Sequence, residues 1–112
     1  MSANDAGPYK NRATDAQESP EQIAADLSAF QRDVLAEIAE LQAGPDVSYG
    51  LAIKERLDAF YGESQNHGRL YPNLDELVDR GLIEKGNLDR RTNTYKLTDA
   101  GYDVLVALHD RE

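Results

Sequence analysis

The chain has 112 residues and no cysteine, and its 21 acidic against 12 basic side chains give a formal net charge of -9. This length supports one domain with a modest core, and the lack of cysteine excludes disulfides, cysteine–zinc sites and thiol redox switches. No apolar run approaches the roughly 20 residues that span a bilayer, and the first residues lack the apolar core of a signal peptide. We therefore expect a cytoplasmic protein without membrane contact. An acidic protein repels polyanions, so the charge also argues against nucleic acid as a partner.

The acidic residues are scattered along amphipathic segments instead of forming a tail. Twelve aspartates and nine glutamates stand against eight arginines and four lysines. Acidic surfaces keep proteins soluble where salt screens charge almost completely. The composition is therefore typical of a halophilic protein from a high-salt cytoplasm.

Residues 1–18 show no apolar period and predict a flexible amino-terminal arm. The Ser19-Pro20-Glu21-Gln22 sequence is typical of a helix start, with a capping serine and a proline in the first turn. Apolar residues then recur at helical spacing up to Gly44: Ile23, Leu27, Phe30, Val34, Ile38 and Leu41. Residues 28–31 repeat the capping pattern, so one long helix and two short helices are both compatible with this segment.

Two further helices are predicted before residue 81. One runs from near Ser48 to Gly62 with a buried stripe formed by Tyr49, Ile53, Leu57 and Phe60. The next has the stripe Leu70, Leu74, Leu77 and Val78. Because proline is tolerated only near a helix start, Pro72 predicts that this helix begins at residues 66–68.

After Gly81 the apolar period becomes that of a strand. Residues 82–85 and 92–97 predict a β-hairpin with a polar turn at 86–91. A last helix follows Thr98 and is apolar on two faces, so it needs two packing surfaces. A second copy of the chain is the simplest second surface, which makes residues 99–112 a dimerisation helix. The predicted interface residues are Tyr102, Leu105, Val106, Leu108 and His109.

Three helices followed by a hairpin is the order of a winged helix-turn-helix. The sequence therefore predicts an α+β, mostly α fold, with a DNA-binding domain over residues 19–98 and an added carboxy-terminal helix. In this architecture the third helix enters the DNA major groove, and the hairpin, or wing, lies on the backbone or minor groove.

Charge along the chain supports this architecture. Residues 65–96 hold six cations and five acids, a net of +1, whereas the other residues carry -10. The acids of the third helix, Asp75, Glu76 and Asp79, all lie in its second half, away from the end that would dock. The exclusion of nucleic acid from net charge alone therefore fails.

The predicted DNA contacts lie on the third helix and on the wing. Asparagine and glutamine pair with adenine edges, and arginine pairs with guanine or phosphate. The candidates are Gln65, Asn66, His67, Gly68, Arg69, Tyr71 and Asn73 on the helix, and Arg90, Arg91, Asn93 and Lys96 on the wing. Helix capping or a solvated surface is the alternative explanation for each of them.

Four spaced motifs resemble the PadR-like winged-helix transcriptional regulators over roughly residues 28–101. They are Tyr49-Gly50, Gly68-Arg69-Leu70-Tyr71-Pro72, Gly81-Leu82-Ile83 and Tyr95-Lys96-Leu97-Thr98-Asp99-Ala100-Gly101. Together with the acidic composition, they are similar to a haloarchaeal member of this family. The resemblance implies a homodimer on a pseudopalindromic DNA site, with the recognition helix at Gln65–Asn73 and the wing at Asp89–Thr94.

No catalytic, cofactor or metal motif is present in the sequence, so we do not expect an enzyme. Two alternatives to a DNA-binding regulator remain. One is a winged-helix module that binds only proteins, and the other is an acidic DNA mimic, whose acids should lie on the third helix and wing. If the chain binds double-stranded DNA in molar salt, it relies on short-range contacts and salt cations, and its affinity depends weakly or inversely on salt.

Overall fold

The fold contains five helices and a two-stranded antiparallel sheet, seen in a computed structural model that describes residues 18–45 and 47–110. The elements in chain order are α1 Pro20–Asp26, α2 Ala29–Ala43, α3 Gly50–Tyr61, α4 His67–Asp79, β1 Ile83–Asn87, β2 Asn93–Leu97 and α5 Asp99–Asp110. The predicted α+β, mostly helical class is confirmed. Apart from Glu18, the predicted amino-terminal arm lies outside the described residues. Among the described helices, none has the length and apolar character needed to cross a membrane.

Residues 20–43 form two helices because the second capping pattern is used. The Ser28 hydroxyl accepts from the N–H of Gln31, and the Gln31 side chain accepts from the N–H of Ser28. Ser19 and Gln22 make the same reciprocal pair at the start of α1. Residues 27 and 28 are extended, so the chain changes direction between the helices.

The core is built from the predicted apolar stripes. Its fully buried side chains are Val34, Leu35 and Ile38 of α2, Ile53 and Leu57 of α3, Leu70, Leu74 and Leu77 of α4, and Leu82, Ile83 and Val104 beyond them. The prediction that Phe60 is buried is wrong, since 62% of its surface is exposed. Tyr61 turns inward instead and stacks on Phe30.

The wing is a hairpin with a third, short partner. Ile83 pairs with Leu97 and Asn87 with Asn93, so β1 continues two residues beyond its predicted end, β2 begins one residue later than predicted, and the loop spans residues 88–92. Residues 48 and 49 pair with β2 through the N–H of Tyr95, which donates to the Ser48 carbonyl, and through a bridge to Thr94. Because this pairing requires extended backbone, α3 begins at Gly50 and not at Ser48.

Helix α5 is fixed to the hairpin by its first turn. The Thr98 hydroxyl donates to the Gly81 carbonyl and accepts from the N–H of Gly101. A Cβ added at Gly101 would lie 2.1 Å from the Leu82 carbonyl oxygen. The helix and the start of β1 therefore approach more closely than any side chain permits.

We predict that Gly101→Ala lowers the free energy of unfolding by roughly 2 kcal/mol, because an added methyl group forces α5 away from the core. Urea denaturation followed by circular dichroism measures the change. Gly44→Ala is the matched control, since its added Cβ meets only ordinary contacts at 3.7 Å. Equal stability of the two variants would contradict the packing described above.

Candidate nucleic-acid interface

Helix α4 starts where the sequence predicts, and the turn before it is held by a carboxylate. Asn66 is the capping residue, and its side chain accepts from the N–H of Gly68 at 2.6 Å. The Asp58 carboxylate of α3 accepts from the N–H of Gln65 at 2.6 Å and pairs with Lys54 at 2.9 Å. The Lys54 contact and the Gln65 N–H hold the pKa of Asp58 below its usual range. The turn between the two helices is therefore fixed by charge-assisted hydrogen bonds.

The first turn of α4 presents most of the predicted contacts to solvent. Asn66, His67, Gly68 and Arg69 are exposed, as is Pro72 in the second turn. Gln65 is different, with only 7% of its surface exposed. Its side-chain N–H donates to the carbonyl of Glu63 and its side-chain oxygen accepts from Arg69 at 3.5 Å, so the structure does not expose this predicted DNA contact with the others. This residue holds the turn instead.

Arg69 and Asn73 lie against α2, which the sequence did not indicate. The Arg69 guanidinium carbon sits 3.9 Å from the centre of the Phe30 ring. Asn73 is half-buried, accepts from the side chain of Gln31 at 3.0 Å and donates to the Arg69 carbonyl at 2.7 Å. No spacing signal marks these partners, since Gln31 and Asn73 are 42 positions apart.

A groove of about 450 Å³ joins α4 to the wing. It is lined by Tyr49, Gly50 and Leu51 at the start of α3, by Tyr71 of α4, and by Leu88, Arg91, Thr92, Asn93 and Tyr95 of the wing. The ring of His67 stacks on Tyr71 with centroids 5.8 Å apart. Tyr71 passes so close to Gly50 that a Cβ there would lie 2.6 Å from its hydroxyl. This contact brings the Tyr-Gly and Leu-Tyr-Pro motifs together in space.

Apart from Arg69, the cations of residues 65–96 fall into two groups. Lys96 lies 3.4 Å from Glu84, Arg80 lies 3.5 Å from Glu76, and Lys85 lies 4.0 Å from Asp75. Arg90 and Arg91, at the wing tip, are exposed and form no ion pair with any residue in the described ranges. Asp89 turns its carboxylate toward the loop backbone, and the N–H of Arg91 lowers its pKa.

The predicted dimer residues occupy two environments on α5. Tyr102, Val106 and His109 are exposed, and the Tyr102 hydroxyl accepts from Gln42 at 2.9 Å. Leu105 and Leu108 are half-buried and, with His109, line a groove of about 560 Å³ against α2. The other lining residues are Ala29, Arg32, Asp33 and Ala36.

A helix-turn-helix followed by a wing, with an acid-free helix start and an exposed wing-tip arginine bordering the groove between them, defines a winged-helix DNA-binding regulator. The model of the transcriptional regulator PadR-like family matches residues 38–107. The chain belongs to the PadR-like family of transcriptional regulators, which bind DNA and are not enzymes. The resemblance and the non-enzymatic class drawn from the sequence are thereby confirmed.

Solved structures of RosR from H. salinarum are similar to this chain. One, described as the complex structure of hsRosR-S4, is 48% identical, covers 83% of this chain and 76% of that chain, and superposes with a TM-score of 0.76. Another, from crystals grown with NaBr, is 51% identical over 79% of this chain and 76% of that chain, with a TM-score of 0.71. AF1382 from Archaeoglobus fulgidus, at 18% identity over 80% of this chain and 88% of that chain with a TM-score of 0.58, shares the fold alone. A comparison with curated protein sequences finds no match.

Proposed function

We propose that the protein is a sequence-specific transcriptional regulator that binds double-stranded DNA as a homodimer in a halophilic cytoplasm. Residues 19–98 form its DNA-binding domain and residues 99–112 its dimerisation helix. The groove that brings Tyr71 of α4 together with Arg91 and Asn93 of the wing carries the proposal. It places Tyr71, from the acid-free end of α4, beside Arg91, one of the two exposed arginines of the wing tip.

In this mechanism the first turns of α4 enter the major groove. Arg69 donates to base edges, and the Asn73 carboxamide both donates to and accepts from them. Gly68 allows the backbone to approach a phosphate at the positive end of the helix dipole, and Asn66, His67 and Tyr71 border the contact. The wing residues Arg90, Arg91, Asn93 and Lys96 lie on the phosphate backbone or in the adjacent minor groove.

We expect Arg69→Ala and the double variant Arg90→Ala/Arg91→Ala to change DNA binding in different ways. Loss of a base-reading side chain reduces discrimination between sequences, whereas loss of phosphate ligands weakens every duplex by a similar factor of about ten. Duplexes selected from a random library, titrated beside scrambled ones, measure both effects.

Arg80→Ala serves as the control for Arg69→Ala in this titration, because it removes one positive charge from the far end of α4, where Arg80 already pairs with Glu76. Unchanged affinity of the wing variant would show that the wing does not contact DNA. Absence of DNA binding by the wild type would favour a protein-interaction module instead.

The dimer is proposed to form through α5. Tyr102 and Val106 lie one turn apart with 45% and 58% of their surfaces exposed, and Leu105, Leu108 and His109 complete the predicted interface. Large apolar side chains left on a helix of a small domain mark an association surface. A two-fold dimer places two copies of α4 on one face, as a pseudopalindromic site requires.

We predict that Val106→Glu yields monomers in sedimentation velocity, because a carboxylate in an apolar interface loses its hydration without a partner. Phe60→Glu is the matched control, since Phe60 is equally exposed but lies at the end of α3. A Val106→Glu protein that sediments as a dimer would place the interface elsewhere.

Salt cations are proposed as further components of the DNA interface. Glu84 lies beside the proposed phosphate ligand Lys96, and Asp75 lies beside Lys85. Phosphates approaching these lysines also approach the carboxylates, and a cation between them relieves the repulsion. Binding then takes up cations, which opposes the counterion release of an ordinary DNA-binding protein.

Affinity is therefore measured from low to multimolar KCl. We expect the slope of log affinity against log salt concentration to be near zero or positive, whereas ordinary DNA-binding proteins show a slope of about -0.9 per neutralised phosphate. Glu84→Gln removes one carboxylate and should make the slope more negative. Asp103→Asn on α5 controls for the change in net charge. A steep negative slope for the wild type would argue against cation uptake.

We further propose a role in the response to oxidative stress, supported by the similarity to the oxidant-responsive regulator RosR. A thiol in this chain cannot sense the oxidant, since the sequence contains no cysteine.

A further inference from the structure

The first turn of α2 carries two side chains that reach α4, although neither belongs to the proposed DNA contacts. Phe30 and Gln31 are buried, with 3% and 5% of their surfaces exposed. Phe30 lies under Arg69, and Gln31 is bonded to Asn73. Arg69 and Asn73 are one turn apart, so they share one side of α4.

The Phe30 ring forms a platform for Arg69. The guanidinium carbon lies 3.9 Å from the ring centre, and one N–H of Arg69 donates to the side-chain oxygen of Gln65 at 3.5 Å. A guanidinium has five N–H donors at the edge of its plane, so the others remain for a base. Tyr61 stacks on the same ring, with centroids 6.2 Å apart, and its hydroxyl donates to Asp33. Burial and Asp33 raise the pKa of Tyr61 to about 12, so its hydroxyl remains a donor at neutral pH. The platform is thereby held in place from α2 and α3.

The Gln31 side chain bonds both to the cap of α2 and to α4. Its side-chain oxygen accepts from the N–H of Ser28 at 3.1 Å, and its amide N–H donates to Asn73 at 3.0 Å. Asn73 in turn donates to the carbonyl of Arg69. A carboxamide has two donor hydrogens and two acceptor lone pairs, so Asn73 keeps one of each for a base edge.

We propose that Phe30 and Gln31 are positioning residues for sequence recognition, which hold Arg69 and Asn73 in the conformations that meet the DNA bases. This inference rests on the proposed function, in which α4 enters the major groove. A side chain that is already oriented discriminates strongly, since a wrong base leaves its polar groups unpaired. An arginine that contacts a phosphate instead of a base carries no direct sequence information.

The two capping boxes provide a matched pair of variants for Gln31. Glutamate replaces glutamine in capping boxes without loss of the cap, so Gln31→Glu keeps the acceptor for Ser28 and removes the donor to Asn73. Gln22→Glu makes the same change, with the same added charge, in the box of Ser19 at the start of α1. Only the first variant alters a contact with α4.

Both variants are prepared as the full chain and titrated on a duplex selected by the wild type and on a scrambled duplex. Gln31→Glu should lower the ratio of selected to scrambled affinity about fivefold, as expected for one lost base contact, while Gln22→Glu changes it by less than about twofold. Repeating the selection with Gln31→Glu should give a changed preference at one base position of each half-site.

A double-mutant cycle tests Phe30. Phe30→Leu removes the platform, and Arg69→Lys keeps the charge but loses the planar group that stacks. If Phe30 acts through Arg69, each single variant lowers the affinity ratio about fivefold and the double variant lowers it no further. Thermal unfolding of all four proteins is followed in parallel, so that a loss of folded protein is separated from a loss of discrimination.

Three outcomes would overturn the inference. Additive effects of Phe30→Leu and Arg69→Lys would show that Phe30 acts independently of Arg69. Equal ratios for Gln31→Glu and Gln22→Glu would show that the contact with Asn73 does not influence recognition. A wild type that selects no sequence would overturn the proposed function itself, which distinguishes that failure from the first two.

Discussion

The reciprocal hydrogen bonds between Ser28 and Gln31 are the interaction on which the arrangement of this domain depends. They end the extended segment after α1 and restart the chain as α2. The first turn of α2 then faces α4, with Phe30 beneath Arg69 and Gln31 bonded to Asn73. In a continuous helix through residue 28, the N–H of Ser28 would bond to the carbonyl four residues earlier, and the Gln31 side chain would lose the capping bond that orients it beside Asn73. The capping bond at the start of α2 therefore affects how side chains of α4 are oriented.

Net charge is a poor guide to the partner of this protein because several of its acidic and basic side chains pair with one another. Acids and bases pair between α2 and α3, where Arg56 contacts Glu37 and Glu40, and within the wing, where Lys96 contacts Glu84. Arg90 and Arg91 lie apart from these pairs at the wing tip. The wing tip thus carries two exposed arginines that pair with no acid among the described residues, and an excess of acids elsewhere on the chain is compatible with nucleic acid at this position.

The sequence predicted the elements well because local signals define them. Helical periods, two capping boxes and a change to alternating residues located five of the seven elements. They left open whether the first two elements were one long helix or two short helices. What it missed depends on tertiary contacts. The inward turn of Tyr61 in place of Phe60 is decided by the ring of Phe30, and the burial of Gln65 is decided by the turn that Asp58 holds. Neighbouring aromatic or polar residues carry no pattern that distinguishes them.

The wing differs from a free hairpin in one respect that bears on the thermodynamics of binding. Residues 48 and 49 extend its sheet, and Asp89 and Thr92 close its loop with hydrogen bonds to the backbone. The backbone of the loop is therefore ordered in the free protein, and its conformational entropy is lost on folding, not on association. What remains to be ordered by a ligand is the rotamers of a few long side chains, chiefly two arginines. Binding through such a wing therefore costs little conformational entropy. Its affinity depends strongly on the contacts that those two arginines form.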